Sequence, residues 1–130
     1  MDKKIIGLAA FMGGIAVILG AFGAHGLKAV LDENQLLTFE TGVRYQIYHA
    51  LFLLFVGAVP ILTSKTKKII GYLVGFGVLF FSGSIYLLAT NGLTAVDFKF
   101  LGPITPLGGV LLIAAWFTVG YQAIFVKKGI

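Results

Sequence analysis

The fold turns on Ile5-Ile6-Gly7-Leu8-Ala9-Ala10-Phe11-Met12-Gly13-Gly14-Ile15-Ala16-Val17-Ile18-Leu19-Gly20-Ala21-Phe22-Gly23-Ala24, twenty residues without a charge. Wound as a helix, about 20 mostly apolar residues cross the roughly 30 Å hydrocarbon core of a bilayer. A helix on a water-facing globule would keep one polar face, and this stretch has none. Asp2, Lys3 and Lys4 give it the short basic start of a signal peptide. The apolar run, however, exceeds the roughly 7–15 residues of a signal core, so the segment is expected to be retained.

Working outward, three further stretches are long and apolar enough to span, at about 45–62, 69–89 and 106–126, beside the first at about 5–24. The expected fold is therefore all-α. It is a single domain, 1–130, with four transmembrane helices in an antiparallel bundle. Composition agrees: 58% of the residues are apolar and 12% charged, which leaves too little polar surface to cover a water-soluble monomer. With no cysteine, thiolate catalysis, iron–sulfur clusters, cysteine zinc sites and a disulfide scaffold are excluded. Before the second span, Leu36, Phe39 and Val43 recur at helical spacing, which predicts a short amphipathic segment on the outer side. Asp32, with Gln35 three residues on, should cap it, and Gly42 is the expected bend. Asn91-Gly92 should end the third helix, and Thr105-Pro106 should open the fourth as cap and first helical residue.

Orientation follows from the basic residues near span ends. Lys3, Lys4, Lys65, Lys67, Lys68, Lys127 and Lys128 fall on one side, against Lys28, Arg44 and Lys99 on the other, so both termini are expected in the cytoplasm. The net charge of +5 then reflects membrane topology and not affinity for nucleic acid.

Counting 1.5 Å per residue from each span's centre puts His49 about 6 Å outward of the midplane, Ser82 about 4 Å, Tyr86 about 10 Å, Tyr45 about 12 Å and His25 about 16 Å. Polar residues therefore gather in the outer leaflet, where an ionisable group is by default a functional-site hypothesis. His25, Tyr45, Gln46, His49, Ser82 and Tyr86 are the candidate ligand-binding residues, and Glu40 with Arg44, four apart, a candidate ion pair. A structural reading stands beside this one. His49 can be a neutral imidazole bridging helices, Ser82 and Ser84 can return hydrogen bonds to their own helix, and Trp116 can simply pack.

Other chemistry finds no support. Gly20-x-x-Gly23-x-x-Gly26 is no dinucleotide fingerprint, since no strand precedes it. Two histidines without acidic or thiol companions make a poor metal site, and no metal or cofactor, haem included, is expected. No serine sits in a nucleophile elbow and no carboxylate pair lies within a span, so the reading leans away from an enzyme. Ala16, Gly20 and Ala24, then Gly71 and Gly75, then Gly108 and Gly109 allow close helix contact, within the bundle or between protomers.

Four segments resemble a known family. Gly20 to Leu27 (GAFGAHGL), Phe39 to Ala50 (FETGVRYQIYHA), Phe81 to Tyr86 (FSGSIY) and Gly102 to Gly109 (GPITPLGG) are similar, in order, to the small membrane proteins catalogued as domain of unknown function 423, which are related to a eukaryotic transmembrane protein of similar size. The resemblance implies a bacterial plasma-membrane protein of four helices and supplies no activity or substrate. The leading functional expectation is a lipid or small amphiphile bound at the outer-leaflet cluster. The alternatives are a structural or accessory subunit, as a homo-oligomer or with a membrane-protein partner, and a small proton-coupled transporter acting as a dimer.

Overall fold

Asp2 opens the first helix: its carboxylate accepts the Ile5 amide at 3.1 Å, and α1 runs from Lys3 to His25. The computed structural model describes residues 2–126, so Lys127 and Lys128 lie outside the described residues. At the second helix Asp32 and Gln35 exchange reciprocal bonds of 2.8 and 2.9 Å, satisfying two amides that no helical carbonyl can reach. From there α2 runs without a break over Glu33–Ala58. The amphipathic segment expected before the second span is thus not separate; it forms the first turns of α2, with Phe39 buried. The helix also stops short of the expected Leu62. Val59 is extended because the residue before Pro60 resists helical geometry.

Thr63 caps α3, Ser64–Val78, which continues through a π-type turn, Leu79–Gly83, into α4, Ser84–Ala89. The last helix, α5, covers Ile104–Phe125 with Pro103 at its cap position. Thr105 is therefore inside the helix and not its cap, and its hydroxyl meets that of Ser84 on α4. Pro106 still falls in the first turn, where its missing N–H costs no helical bond. Among the described residues there is no strand.

Antiparallel packing can be followed contact by contact. Positions where a side chain on Gly13, Gly20 or Gly23 of α1 would meet Ala50, Val43 and Phe39 climb one helix as they descend the other. Lys67 bonds Gly57, and Ser82 bonds Gly42, in the same opposed order between α2 and the α3–α4 rod. Gly77 faces Leu112, and Gly108 faces the Gly77 and Phe80–Phe81 backbone, between that rod and α5. Gly108 is required there, since a Cβ would sit 2.8 Å from the Gly77 carbonyl oxygen. Ile5, Ala9, Met12, Ala50, Leu53, Val56, Ile70, Val74, Leu112 and Ala115 form the main core, and Leu27, Leu31, Phe39 and Ala89 a smaller one at the opposite end.

The outside is apolar as well. Phe11, Phe117 and Ile124 are 76%, 75% and 74% exposed, an arrangement suited to hydrocarbon and costly in water. Three helical stretches, Lys3–Ala29, Ser64–Ala89 and Lys99–Phe125, are long and apolar enough to cross a membrane. α2 falls outside that set because it carries the polar residues: Arg44, Gln46 and His49 interrupt its apolar run.

Candidate functional site

Gly42, Gln46 and His49 share one face of α2, steps of three and four residues nearly superimposing on a helix. All three are buried. Having no side chain, Gly42 lets α4 approach: a Cβ there would lie 2.6 Å from the Tyr86 ring. That close approach brings Tyr86 Oη within 2.7 Å of Gln46 Oε1, to which it donates, while Gln46 Nε2 donates to the Met12 carbonyl at 2.9 Å. Gln46 thus ties α1, α2 and α4 through one amide. One turn away Ser82 donates to the Gly42 carbonyl at 2.7 Å. The bond to its own helix, which the structural reading allowed for both serines, is made by Ser84, to Phe81 at 3.0 Å, and not by Ser82, which bonds across. The π-type turn that contains Ser82 displaces the local bonding pattern, a distortion that often accompanies functional positions.

A second group of bonds centres on His49. Trp116 of α5 donates its indole N–H to His49 Nε2 at 2.9 Å, and His49 Nδ1 lies 2.7 Å from the Tyr45 carbonyl. Indole can only donate, so Nε2 accepts and Nδ1 carries the hydrogen, a single neutral tautomer. Both nitrogens are engaged. Phe52 packs against Trp116, its ring tilted by 33° with 4.1 Å between centroids, and Tyr45 packs on Phe81 at 4.9 Å. Trp116 is the residue missed by the sequence reading, which assigned it to packing. The signal was there: a Trp near mid-span needs an acceptor for its N–H, and His49 is the candidate at that depth.

Gln46, His49, Ser82 and Tyr86 therefore come together, with Tyr45 joining through its carbonyl and its 40%-exposed ring. His25 does not. It closes α1, exposed, without a hydrogen bond or ring contact to the others, because the pairing of Gly23 with Phe39 holds that end level with the start of α2. Glu40 and Arg44 approach to 3.8 Å on the exposed side of α2, with more than half of each side chain open. Such a pair contributes little to stability.

Among the described residues no buried side-chain nitrogen or oxygen lacks a partner, and no group of three or more metal-ligating residues exists. Each buried polar side-chain atom of the network thus has a partner within the protein. Open space lies beside it instead, in a recess of about 150 Å3 between α1 and α2 lined by Gly20, Gly23, Phe39, Glu40, Val43 and Arg44. In the loop ahead of α5, Asn91 accepts the Phe98 amide at 2.7 Å and donates to Asp97 at 3.1 Å. The Lys99 amide, and next the Asn91 side chain, hold the Asp97 carboxyl below its usual range.

Comparison with known proteins places the chain among related sequences. The profile of the family described as "Protein of unknown function (DUF423)" matches residues 19–109. The chain is 45% identical over 114 residues to UPF0382 membrane protein SSP2132 of Staphylococcus saprophyticus, covering 88% of this chain and 91% of that one. It is 39% identical over 127 residues to UPF0382 membrane protein YwdK of Bacillus subtilis, covering 94% and 97%. A UPF0382 membrane protein of Haemophilus influenzae is 34% identical over 121 residues, covering 93% and 94%. No solved structure matches the chain.

Proposed function

Given that the chain belongs to the DUF423 family of proteins of unknown function, we propose that it is a four-pass, non-enzymatic membrane protein serving as a structural or accessory component. In this reading α1, α2, the α3–α4 rod and α5 are the four passes, both termini face the bacterial cytoplasm, and the polar residues of the outer leaflet brace the helices. One observation carries it: Gln46, His49, Ser82 and Tyr86 all bond to one another, to Trp116 or to the backbone of another helix. Polar bonds between helices are a known adhesive where no water competes and hydrophobic burial gives little drive. A proton path gains no support, since both nitrogens of His49 are occupied and, among the described residues, no carboxylate pairs with it.

Two arms of one experiment test this. A photoreactive residue at Phe117, 75% exposed, should give a discrete adduct with a partner subunit or a second copy in native membranes. A diazirine lipid should label the outward surface, Tyr48 and Leu51 of α2 included, and leave the Gln46 side chain itself unlabelled. Lipid-only adducts at Phe117, with competable labelling at Gln46, would overturn the proposal in favour of a ligand site.

A second reading keeps a lipid or small amphiphile as the outer-leaflet ligand. It draws on the recess that Gly20, Gly23, Phe39 and Val43 line with apolar surface, and on the exposed Arg44 guanidinium at its edge. The braced network would then hold the wall of the recess and would not itself touch the ligand.

A further inference from the structure

The opposite end of the bundle is built differently. There the Gly57 carbonyl, at the end of α2, accepts from the Asp2 amide at 2.8 Å and from Lys67 Nζ at 3.1 Å. Lys67 is only 3% exposed; a cation against the carboxyl end of a helix meets the negative pole of its dipole. Beside this junction α1 and α3 border a groove of about 460 Å3, the larger of the two described cavities, lined by Asp2, Lys4, Ile5, Leu8, Ser64, Lys68, Gly71 and Tyr72.

We propose that this groove binds an anionic phospholipid, with its phosphate between Lys4 and Lys68 and the first part of an acyl chain along Leu8 and Tyr72. Charge supports the phosphate. Among the described residues the ion pair is Arg44 with Glu40, so neither Lys4 nor Lys68 has a carboxylate partner. The one acid in the lining, Asp2, has an oxygen engaged by the Ile5 amide as the cap of α1. Lys67 adds a positive charge behind the wall. Polarity along the groove supports a lipid over a free anion: Asp2, Lys4, Ser64 and Lys68 lie in the first turns of the two helices, and Leu8, Gly71 and Tyr72 about a turn further in. A headgroup and its chain have that same gradient. The positions of the lysines at the expected cytoplasmic ends match the leaflet in which anionic lipid attracts basic residues.

The proposal rests on the four-pass topology but not on the role of the polar network, which no lysine variant touches. Its test uses the full chain in nanodiscs of equal phosphatidylglycerol and phosphatidylcholine, released for native mass spectrometry. The wild-type chain should retain phosphatidylglycerol in preference. In Lys4→Gln/Lys68→Gln that preference should fall about fivefold for each lysine removed. Lys3→Gln/Lys65→Gln, with the same charge change at the same end but outside the groove, should keep it. Equal loss in both double variants would mean diffuse attraction and overturn the site, as would no preference in the wild type. Displacement of the lipid by millimolar inorganic phosphate would overturn the choice of a lipid as the occupant.

Discussion

Replacing Gln46 with leucine removes a side chain that joins three helices while nearly conserving its volume. Gln46 is 5% exposed, so the gap is not refilled by solvent. Two bonds disappear, one to the Met12 carbonyl and one from Tyr86 Oη. Side-chain bonds between helices in membranes average about 0.6 kcal/mol and reach about 1.7. A donor left unpaired away from water costs about 1–3 kcal/mol. The Met12 carbonyl keeps its helical bond, so the larger loss is at Tyr86, and Gln46→Leu should destabilise by about 2 kcal/mol. Tyr86→Phe alone should cost about 1 kcal/mol, and the double variant less than the two single losses added, because it leaves no orphaned hydroxyl. Unfolding by denaturing detergent in bicelles, run as a double-mutant cycle, reads this directly. A coupling below about 0.3 kcal/mol, the scatter of independent sites, would refute the brace.

Other consequences can be measured separately. Gly108→Ala should destabilise by about 3 kcal/mol or prevent folding, since its Cβ would press on the backbone of the α3–α4 rod, while Gly14→Ala, with nothing within 4 Å, should be close to neutral; thermal unfolding in detergent separates the two. Trp116→Phe should remove the donor to His49 Nε2 while the Tyr45 carbonyl still accepts from Nδ1–H, so the tautomer is kept and the nitrogen-15 shift of Nε2 moves to that of a free acceptor; an unchanged Nε2 shift would contradict the bond. Asp97 has a folded pKa below its unfolded value, so its contribution is present above about pH 4 and is lost as pH falls through the folded pKa. Asp97→Asn should speed hydrogen exchange at the Lys99 amide near neutral pH, and the difference from wild type should vanish in acid.

Much of the architecture is legible in the chain because apolar length is a one-dimensional signal. The first span and the Asp32–Gln35 cap need only neighbours in sequence, and both appear where composition and spacing put them. Errors arise where the third dimension decides. Helix α2, expected to run to Leu62, ends at Ala58 because of Pro60, and Thr105 faces Ser84 instead of capping its helix. Depth along an axis grouped His25 with His49, but depth says nothing about which helix faces which. Only the register of α1 on α2 separates them. The partnership of Trp116 with His49 spans 67 residues, and that of Ser82 with Gly42 spans 40; neither leaves a local pattern.

The helix that carries the network, α2, is also the one whose polar residues keep it out of the set of long apolar helices, so whether it crosses the bilayer is the direct test of the proposed topology. The chain contains no cysteine, and Thr38, Ser64 and Ala95 are exposed, so Thr38→Cys, Ser64→Cys and Ala95→Cys each introduce a single reactive thiol. Intact bacterial spheroplasts treated with a membrane-impermeant maleimide should label Thr38→Cys and Ala95→Cys at once, and Ser64→Cys only after permeabilisation. Labelling of the positions 38 and 64 from the same side would show that α2 does not cross, and would contradict both the four-pass topology and the placement of the brace.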